Sequence, residues 1–495
     1  MTTTTAPSQS PTKLEPHVWR LAAVVVIGSI MSILDTTIVN VALDTLGHEM
    51  HSPLSDVQWV VTGYMLSLAA VIPVSGWAAR RFGAKQIYLI SLALFTLGSA
   101  LCGLATNTTE LICFRVLQGV GGGMIMPVGQ MMLASAAGPK NMGRVMSVTS
   151  IPTLLAPILG PTIGGFIVQD LDWHWIFFVN VPVGIIAVVL GLKLIPARKT
   201  LPTTDRLDFV GFGLVAVGLP LLTYGLAEIG TLGTFDSAKV IIPIIVGLAL
   251  IVAFVMRTLR VPNPLLQLHL HRRPTFSSAS LSMFALGAGI FGSMVLLPLY
   301  WQEVRHESII DTGLLSSPQG LGMVLVMPFT GRLVDKYGGG RFALVGTILT
   351  AIATIPLAFV GTNTSIPLLF VAMLFRGAGM GLAFMPTMTA AYAALERSEL
   401  PDATPQLNVM MRVGSSIGTA VLTVVLYDAT KGATSLHKVA DGFGTSFWWS
   451  FGLITVSILP AIVLMITEGR ARRARYGAEL EHEALSGGAV AEAIS

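Results

Sequence analysis

The sequence GWAARRFG at residues 76–83 recurs as GRLVDKYG at residues 331–338. Both copies contain a glycine, four further residues, a base, an aromatic residue and a second glycine. A looser repeat is the pair Phe-Arg at 114–115 and at 375–376, each followed by glycines and then by Met-Pro. Because these patterns recur in the same order, the chain is predicted to contain two copies of one structural unit.

The composition predicts that the units are built from membrane spans. Only 11% of the 495 residues are charged, against about 25% in soluble proteins, and the mean hydropathy is +0.74. A membrane helix needs roughly 20 mainly apolar residues, and 14 such segments are present. These spans, numbered 1 to 14, lie at about 20–42, 57–79, 86–105, 110–133, 143–168, 175–196, 208–229, 239–257, 275–302, 312–334, 342–361, 365–391, 404–428 and 446–467. The expected fold class is an all-α polytopic membrane protein.

The basic residues indicate the orientation of the spans. With 14 spans both termini lie on one side, and 23 of the 30 Lys and Arg residues fall on that side. Only 4 fall on the opposite side and 3 lie inside spans. Because basic loops remain in the cytoplasm, both termini are expected to be cytoplasmic. The excess of basic residues behind the pI near 9.1 is then explained by the cytoplasmic loops and does not indicate nucleic-acid binding.

Spans 1–6 and 9–14 are predicted to be the two repeated halves, with spans 7 and 8 inserted between them. The expected division is a disordered tail at 1–19, an N-terminal half at 20–199, the inserted helices at 200–262, a C-terminal half at 263–467 and a tail at 468–495. Parallel six-helix halves with a site between them at the membrane midplane are typical of secondary transporters.

Four stretches have the most specific patterns, namely 34–43 in span 1, 115–121 in span 4, 160–165 in span 5 and 173–184 at the start of span 6. On these stretches, and across essentially all spans, the chain resembles the 14-span drug:proton antiporter branch of the major facilitator superfamily. The resemblance implies the major facilitator fold and multidrug efflux. One residue departs from the family pattern: an acid usually stands where this chain has Arg80, whereas the second copy keeps Asp335. A charge latch in the first loop is therefore expected to be weaker or differently partnered.

Asp35 is the only acid well inside a span. An ionised Asp at a helix centre costs about 2.5–3.5 kcal/mol on insertion scales and marks an ion or substrate pathway by default. At 1.5 Å per residue, Asp35 lies roughly 10 Å and Arg115 roughly 8 Å from the outer span ends. We expect Asp35 to exchange a proton or contact substrate, with Arg115 controlling its charge. The alternative is a structural ion pair buried in the bundle.

Further polar residues are candidates for the substrate cavity, namely Asn40, Gln58, Thr62, Tyr64, Gln302, Arg376, Asn408 and Arg412. For the two arginines the alternative is bonding to backbone carbonyls at helix breaks, and for Gln58, Thr62, Tyr64 and Gln302 it is helix–helix hydrogen bonding. Residues expected to open and close the cavity are Gly76, Arg81, Gly83, Gly160, Pro161, Gly164, Gly165, Asp335 and Gly338. For span 5 the alternative is close packing alone.

The sequence thus predicts a monomeric, multi-pass protein of a bacterial cell membrane that exports amphipathic, cationic compounds by alternating access. Its expected partners are these substrates, protons and membrane lipids. The sequence contains no phosphate-binding loop, so the proton gradient is the expected energy source. No bound cofactor is expected. The nearest alternative is an exporter of one endogenous product such as a lipid, siderophore or antibiotic, because three intramembrane arginines against one acid would suit anionic groups. A polytopic membrane enzyme is disfavoured, since the nine histidines are scattered over loops and tails.

Overall fold

The computed structural model describes residues 15–138, 141–146, 160, 163–168, 170–196, 206–234 and 236–474. Within these ranges the secondary structure is helical, without a β-strand. Twelve of the described helices are long and apolar enough to cross a membrane. The predicted class, an all-α polytopic membrane fold, is confirmed.

The helices follow the predicted spans, and several spans are built from two helical pieces. The principal helices are Pro16–Val41, Leu54–Val71, Ser75–Phe82, Ala84–Cys102, Thr108–Ala137, Asn180–Leu194, Phe209–Leu232, Ala238–Thr258, Pro274–Leu286, Leu296–Glu303, Ile309–Tyr337, Gly339–Thr354, Ile366–Ala393, Leu400–Thr430 and Leu436–Val456. Shorter helices, Leu43–Glu49, Trp175–Phe178 and Leu268–Arg272, lie in the connections. Span 9 is interrupted by a π-helical turn at Gly287–Phe291 and a 3₁₀ turn at Gly292–Met294.

The count of 14 spans remains a prediction. At predicted span 10 the structure has the 29-residue helix Ile309–Tyr337, which is not among the twelve candidate spans. Most of predicted span 5, including 147–159, lies outside the described residues. Twelve candidates, one further long helix and one largely undescribed segment are compatible with the predicted arrangement.

Capping residues explain where several helices begin and end. The side chain of Asn107 accepts a hydrogen bond from the Glu110 amide at 2.9 Å, which satisfies a free N–H at the helix start. The last glycines of the two repeated loops, Gly83 and Gly338, have φ angles of 93° and 95°. Glycine adopts this conformation readily, and each ends the preceding helix. The two loops therefore share their backbone conformation as well as their sequence pattern.

The apolar cores show how the halves meet. We call the side on which the helix Pro16–Val41 begins the inner side and the opposite side the outer side. On the inner side one core joins the N-terminal half, through Leu21 and Met142, to the C-terminal half, through Tyr392 and Leu400. On the outer side each half has a separate core. The described halves therefore pack together at the inner side, and we call the region between them, outward of the shared core, the central cleft.

The inserted helices lie along one flank of the interface between the halves. Helix Phe209–Leu232 packs through Val215 and Leu219 close to Ala69 of span 2 and Val413 of span 13. Nearer the outer side Tyr224 stacks on Trp59 of span 2, with ring centroids 5.7 Å apart. The insertion thus contacts both halves.

Candidate proton and substrate site

Asp35 lies in a sealed polar pocket in the N-terminal half and is fully buried. Its Oδ2 accepts a hydrogen bond from Arg115 Nη1 at 2.6 Å. Its Oδ1 accepts hydrogen bonds from Gln118 Nε2 and Asn180 Nδ2, both at 2.9 Å. The carboxylate therefore has three donors from two other spans, and one of these donors is a cation.

Arg115 is also fully buried, and its guanidinium is held on several sides. Nε donates to the carbonyl of Val60 at 3.1 Å and Nη1 also donates to Gln118 Oε1 at 2.8 Å. The ring of Tyr64 lies 4.1 Å from the guanidinium carbon, a cation–π contact. The remaining nitrogen, Nη2, is buried without a hydrogen-bond partner among the described residues.

Close helix packing allows this pocket to form. A Cβ atom added at Gly98 would lie 2.7 Å from the Cα atom of Gln118, so only glycine lets span 3 approach span 4 at this level. Asn180 begins the helix Asn180–Leu194, and its amide also donates to Ser99 Oγ at 3.1 Å. Spans 1, 3, 4 and 6 thus converge on one carboxylate.

The arrangement is able to store and release a proton. Desolvation favours the neutral form of a buried carboxyl group, whereas an adjacent cation favours the charged form. A proton on Asp35 would remove the counter-charge of Arg115, whose Nη2 already lacks a partner. The alternative, a structural ion pair, uses the same contacts.

The C-terminal half contains a related arginine without an acid. Arg376 is fully buried; Nε donates to Thr354 Oγ1 at 3.2 Å, Nη1 to Gln319 Oε1 at 3.0 Å, and Nη2 to Ser293 Oγ. Ser293 stands nineteen residues after Pro274, as Asp35 stands nineteen residues after Pro16. In the C-terminal half Ser293 therefore stands at the position that Asp35 has in the N-terminal half.

Arg376 and Tyr64, two of the candidates for the substrate cavity, are fully buried in this conformation. Their contact with substrate stays a prediction. Arg376 also does not bond backbone carbonyls, because its described partners are two hydroxyl groups and a side-chain amide. Asp35 likewise does not face the cleft, so direct contact with a substrate would require another conformation.

Two cavity candidates lie on span 13 and face the N-terminal half. Asn408 is buried, and its Nδ2 donates to Gln130 Oε1 of span 4 at 3.0 Å. It therefore connects the halves instead of lining an open cavity. Arg412, one turn further outward, is only partly buried. Among the described residues it has no hydrogen-bond or ion-pair partner, and Tyr64 is the titratable side chain close enough to act on its charge.

The other cavity candidates are distributed towards the outer ends of their spans. Asn40, Gln58 and Gln302 are exposed, and Thr62 is partly buried. The structure does not join them to the buried pocket around Asp35. They remain candidates for contact with substrate near the outer mouth of the cleft.

The first repeated loop contacts the opposite half at the inner side. Arg80 forms an ion pair with Asp402 in the first turn of the helix Leu400–Thr430. Gly76 packs directly against the carbonyl group of Pro401, whereas Arg81 is exposed. The departure from the family pattern at Arg80 is thus matched by an acid on the other half.

The second repeated loop makes the equivalent contact in the opposite direction. Asp335 Oδ1 accepts a hydrogen bond from the amide of Gly143 at 2.8 Å, and Oδ2 accepts one from the amide of Arg144 at 3.3 Å. A Cβ atom added at Gly143 would lie 2.8 Å from the carbonyl oxygen of Gly331. We call the Arg80–Asp402 pair and the Asp335 contact the two inner latches.

The glycines of span 5 pack against span 1 near Asp35. Gly160 lies against the side chain of Thr37, and a Cβ atom added at Gly164 would lie 3.2 Å from the Cα atom of Ile38. Gly165 has no neighbour within 4 Å of such an atom among the described residues, and Pro161 lies outside the described residues. Two of the predicted motif positions therefore serve close packing beside the carboxylate pocket.

Sequence reasoning did not assign a role to Gln118, Asn180 or Asp402. Gln118 stands three residues after Arg115 and shares its helix face, and Asn180 lies in the stretch 173–184. Both therefore occur in stretches that carry the family resemblance. No sequence signal pointed to Asp402, because it stands 322 positions from Arg80.

Comparisons with known proteins agree with this architecture. The sequence profile of the Major Facilitator Superfamily matches residues 25–419. The multidrug resistance protein B homolog of Mycobacterium tuberculosis (strain ATCC 25618 / H37Rv) is 41% identical over 419 residues, which cover 84% of this chain and 77% of that protein. The multidrug export protein EmrB of Escherichia coli (strain K12) is 30% identical over 400 residues, which cover 81% and 78%.

Solved structures share the fold at low sequence identity. The proton:xylose symporter XylE has a TM-score of 0.62 at 14% identity, covering 90% of this chain and 95% of that chain. The human organic anion transporter MFSD10 also has a TM-score of 0.62 at 14% identity, covering 90% and 100%. At these identities the likeness concerns the fold alone.

Proposed function

This chain belongs to the Major Facilitator Superfamily, and we propose that it exports small amphipathic molecules in exchange for protons by alternating access. It is a multi-pass transporter of the bacterial inner membrane and not an enzyme. Export of drugs is proposed because the relatives named multidrug resistance protein B homolog and EmrB match most of the chain. We also propose that both termini are cytoplasmic, which makes the inner side the cytoplasmic side.

The observation that supports proton coupling is the pocket around Asp35. A fully buried carboxylate 2.6 Å from a fully buried guanidinium is costly to place in a membrane unless both groups have a function or a structural partner. Protonation of Asp35 from the outer side would leave Arg115 without its counter-charge and would favour rearrangement of spans 1 and 4. The pocket supplies the proton-dependent step that an exchanger requires.

The inner latches support the conformational part of the cycle. Alternating access needs contacts between the halves that form on one side while the other side opens. The Arg80–Asp402 pair and the Asp335 contact both join the halves at the inner side, and the outer cores are separate. We assign this conformation to the outward-facing part of the cycle.

The proton gradient is large enough to drive such export. One proton moving through 100 mV yields about 2.3 kcal/mol. At 1.4 kcal/mol for each factor of ten, this supports a roughly 50-fold substrate gradient.

Transport by the full chain in inverted membrane vesicles tests this function. We expect accumulation of an amphipathic fluorescent dye on imposing a pH gradient that is acidic inside, and collapse of the accumulation when nigericin dissipates that gradient. Asp35→Asn should abolish accumulation. Glu303→Gln, which changes an exposed acid at the outer end of span 9, is the matched control and should leave it intact. Dye transport that survives nigericin, or that Asp35→Asn leaves unchanged, would contradict proton coupling through Asp35.

A further inference from the structure

We propose that Arg412 binds the anionic group of the exported compound in the central cleft, so that the substrates are amphipathic organic acids and not cations. This inference rests on the proposed function, because it names the substrate class of the same transporter. It also decides between the two possibilities left open by the sequence, a cationic substrate and one with an anionic group.

The first support is the environment of Arg412 itself. Its side chain is partly exposed, and none of its nitrogen atoms is among those buried without a partner, so its donors reach open space. No acid among the described residues pairs with it. A cation inside a membrane helix normally pairs with another side chain or with backbone carbonyls. Arg412 therefore has donors available for a group that enters from outside the protein.

The second support is the position of Arg412 at the midplane between the halves. It stands twelve residues after Leu400, the first residue of its helix, or about 18 Å along the axis at 1.5 Å per residue. The hydrocarbon core is about 30 Å thick, so this depth is central. One turn towards the inner side, Asn408 bridges to Gln130 of the other half and closes the cleft beneath Arg412. Arg412 thus stands at the floor of the outward-facing cleft.

The third support is that Asp35, the intramembrane acid among the described residues, is not accessible to a cation in the cleft. Asp35 is fully buried and already accepts three hydrogen bonds. The ring of Tyr64 lies 4.1 Å from the guanidinium carbon of Arg115, and Tyr64 is also the titratable side chain near Arg412, so the neutral Tyr64 side chain lies between the carboxylate pocket and the cleft. A cationic compound at the floor of the cleft would meet Arg412 before any carboxylate.

The fourth support is the charge of the C-terminal half. Arg376 is buried with only Ser293, Gln319 and Thr354 as described partners, and these are neutral. Its charge is therefore not cancelled locally, whereas that of Arg115 is cancelled by Asp35. In a medium of low dielectric constant such charges act over long distances. Arg376 and Arg412 are thus two charges of the C-terminal half without an acidic partner among the described residues, which favours an anion over a cation between the halves.

The electrical potential across the membrane favours the export of an anionic substrate. An interior that is negative by 100 mV favours the outward movement of a monovalent anion by about 50-fold, and it opposes outward movement of a cation by the same factor. In an exchange of an organic anion for a proton, the potential thus favours both the outward movement of the anion and the inward movement of the proton.

A matched pair of fluorescent probes tests the proposal on the full chain in lipid nanodiscs. The probes are 1-anilinonaphthalene-8-sulfonate, which carries a sulfonate, and N-phenyl-1-naphthylamine, which has the same ring system without it. Ethidium supplies a cation, and empty nanodiscs supply the blank. Because a hydrogen bond to a charged group contributes more than a neutral one, we expect Arg412→Gln to weaken sulfonate binding about tenfold or more and to change binding of the neutral probe less than twofold.

Arg412→Lys keeps the charge and should retain sulfonate binding within about threefold, which separates loss of charge from loss of packing. Thermal unfolding of each variant verifies that it is folded. If Arg412→Gln binds the sulfonate as tightly as wild type, or if wild type binds ethidium more tightly than the sulfonate, the proposal is wrong.

The failure of this inference is distinguishable from failure of the proposed function. Loss of sulfonate binding in Arg412→Gln together with dye transport that ignores the pH gradient would retain the anion site and reject proton coupling. Transport that depends on the pH gradient together with unchanged sulfonate binding in Arg412→Gln would retain proton coupling and reject the anion site.

Discussion

The Arg80–Asp402 latch predicts a measurable shift between conformations when its charge pairing is broken. Asp402 is 2% exposed and Arg80 14% exposed, so the pair lies between a buried ion pair and a surface one. Removing one partner of a buried pair costs about 3–5 kcal/mol, and an exposed pair contributes about 0–1 kcal/mol. We therefore expect Arg80→Ala to destabilise the inner-closed state by about 2 kcal/mol, an interpolation between these limits.

The corresponding change in population is large enough to measure. By the rule of 1.4 kcal/mol for each factor of ten, a loss of about 2 kcal/mol raises the inner-open population roughly 30-fold. Asp402→Ala should act in the same direction, because it removes the same ion pair between the halves. The double variant Arg80→Asp with Asp402→Arg restores opposite charges and should recover most of the closure. Recovery is incomplete, since a base in the first turn of a helix is disfavoured by about 0.3–1 kcal/mol.

Labelling of an engineered cysteine measures the opening. The two native cysteines, Cys102 and Cys113, are replaced by serine, and Ala134→Cys is introduced in the core that joins the halves at the inner side. In inverted vesicles an impermeant maleimide then reports the inner-open population. A labelling rate in Arg80→Ala within twofold of wild type, or a charge-reversed double variant no slower than the single variants, would refute the reasoning.

Three further predictions concern other contacts. Burial raises the pKa of Asp335 to about 6 in the closed latch, whereas a hydrated Asp titrates near about 3.9. Closing of the latch therefore takes up protons, and closure weakens as the pH rises through about 6. Asp335→Asn should remove this pH dependence of the labelling rate. Gly98→Val should separate span 3 from Gln118 and lower the temperature of unfolding by several degrees, as measured on purified protein against Gly165→Ala, whose added Cβ has no described neighbour within 4 Å. Asn180→Ala removes one of the three donors to the Asp35 carboxylate and should slow proton-driven dye transport, with little change in the amount of folded protein; an unchanged transport rate would show that this donor is not needed by the pocket.

The parts of the fold that depend on composition and repetition were accessible from sequence. Charge scarcity predicted the class, and the two loops at 76–83 and 331–338 predicted a structural repeat. In the structure both loops end in glycines of the same conformation and contact the opposite half. These features follow from local sequence, because hydropathy sets the spans and a positive φ angle requires glycine.

The lateral arrangement of the site was not accessible in the same way. Counting residues gives the depth of a side chain along the membrane normal, which placed Asp35 and Arg115 at one level. Counting does not say which faces of two helices meet, and so it did not distinguish Arg376, which is sealed in its own half, from Arg412, which reaches the cleft. The partner of Arg80 also depended on packing between the halves, since Asp402 lies far along the chain.

The most direct test of the central claim is simultaneous measurement of substrate and proton fluxes in proteoliposomes containing the full chain. We predict that dye movement out of the compartment representing the cytoplasm is accompanied by proton movement into it, and that both stop in Asp35→Asn while Glu303→Gln retains both. Coupled proton movement that persists in Asp35→Asn would contradict the assignment of the Asp35–Arg115 pocket as the proton site.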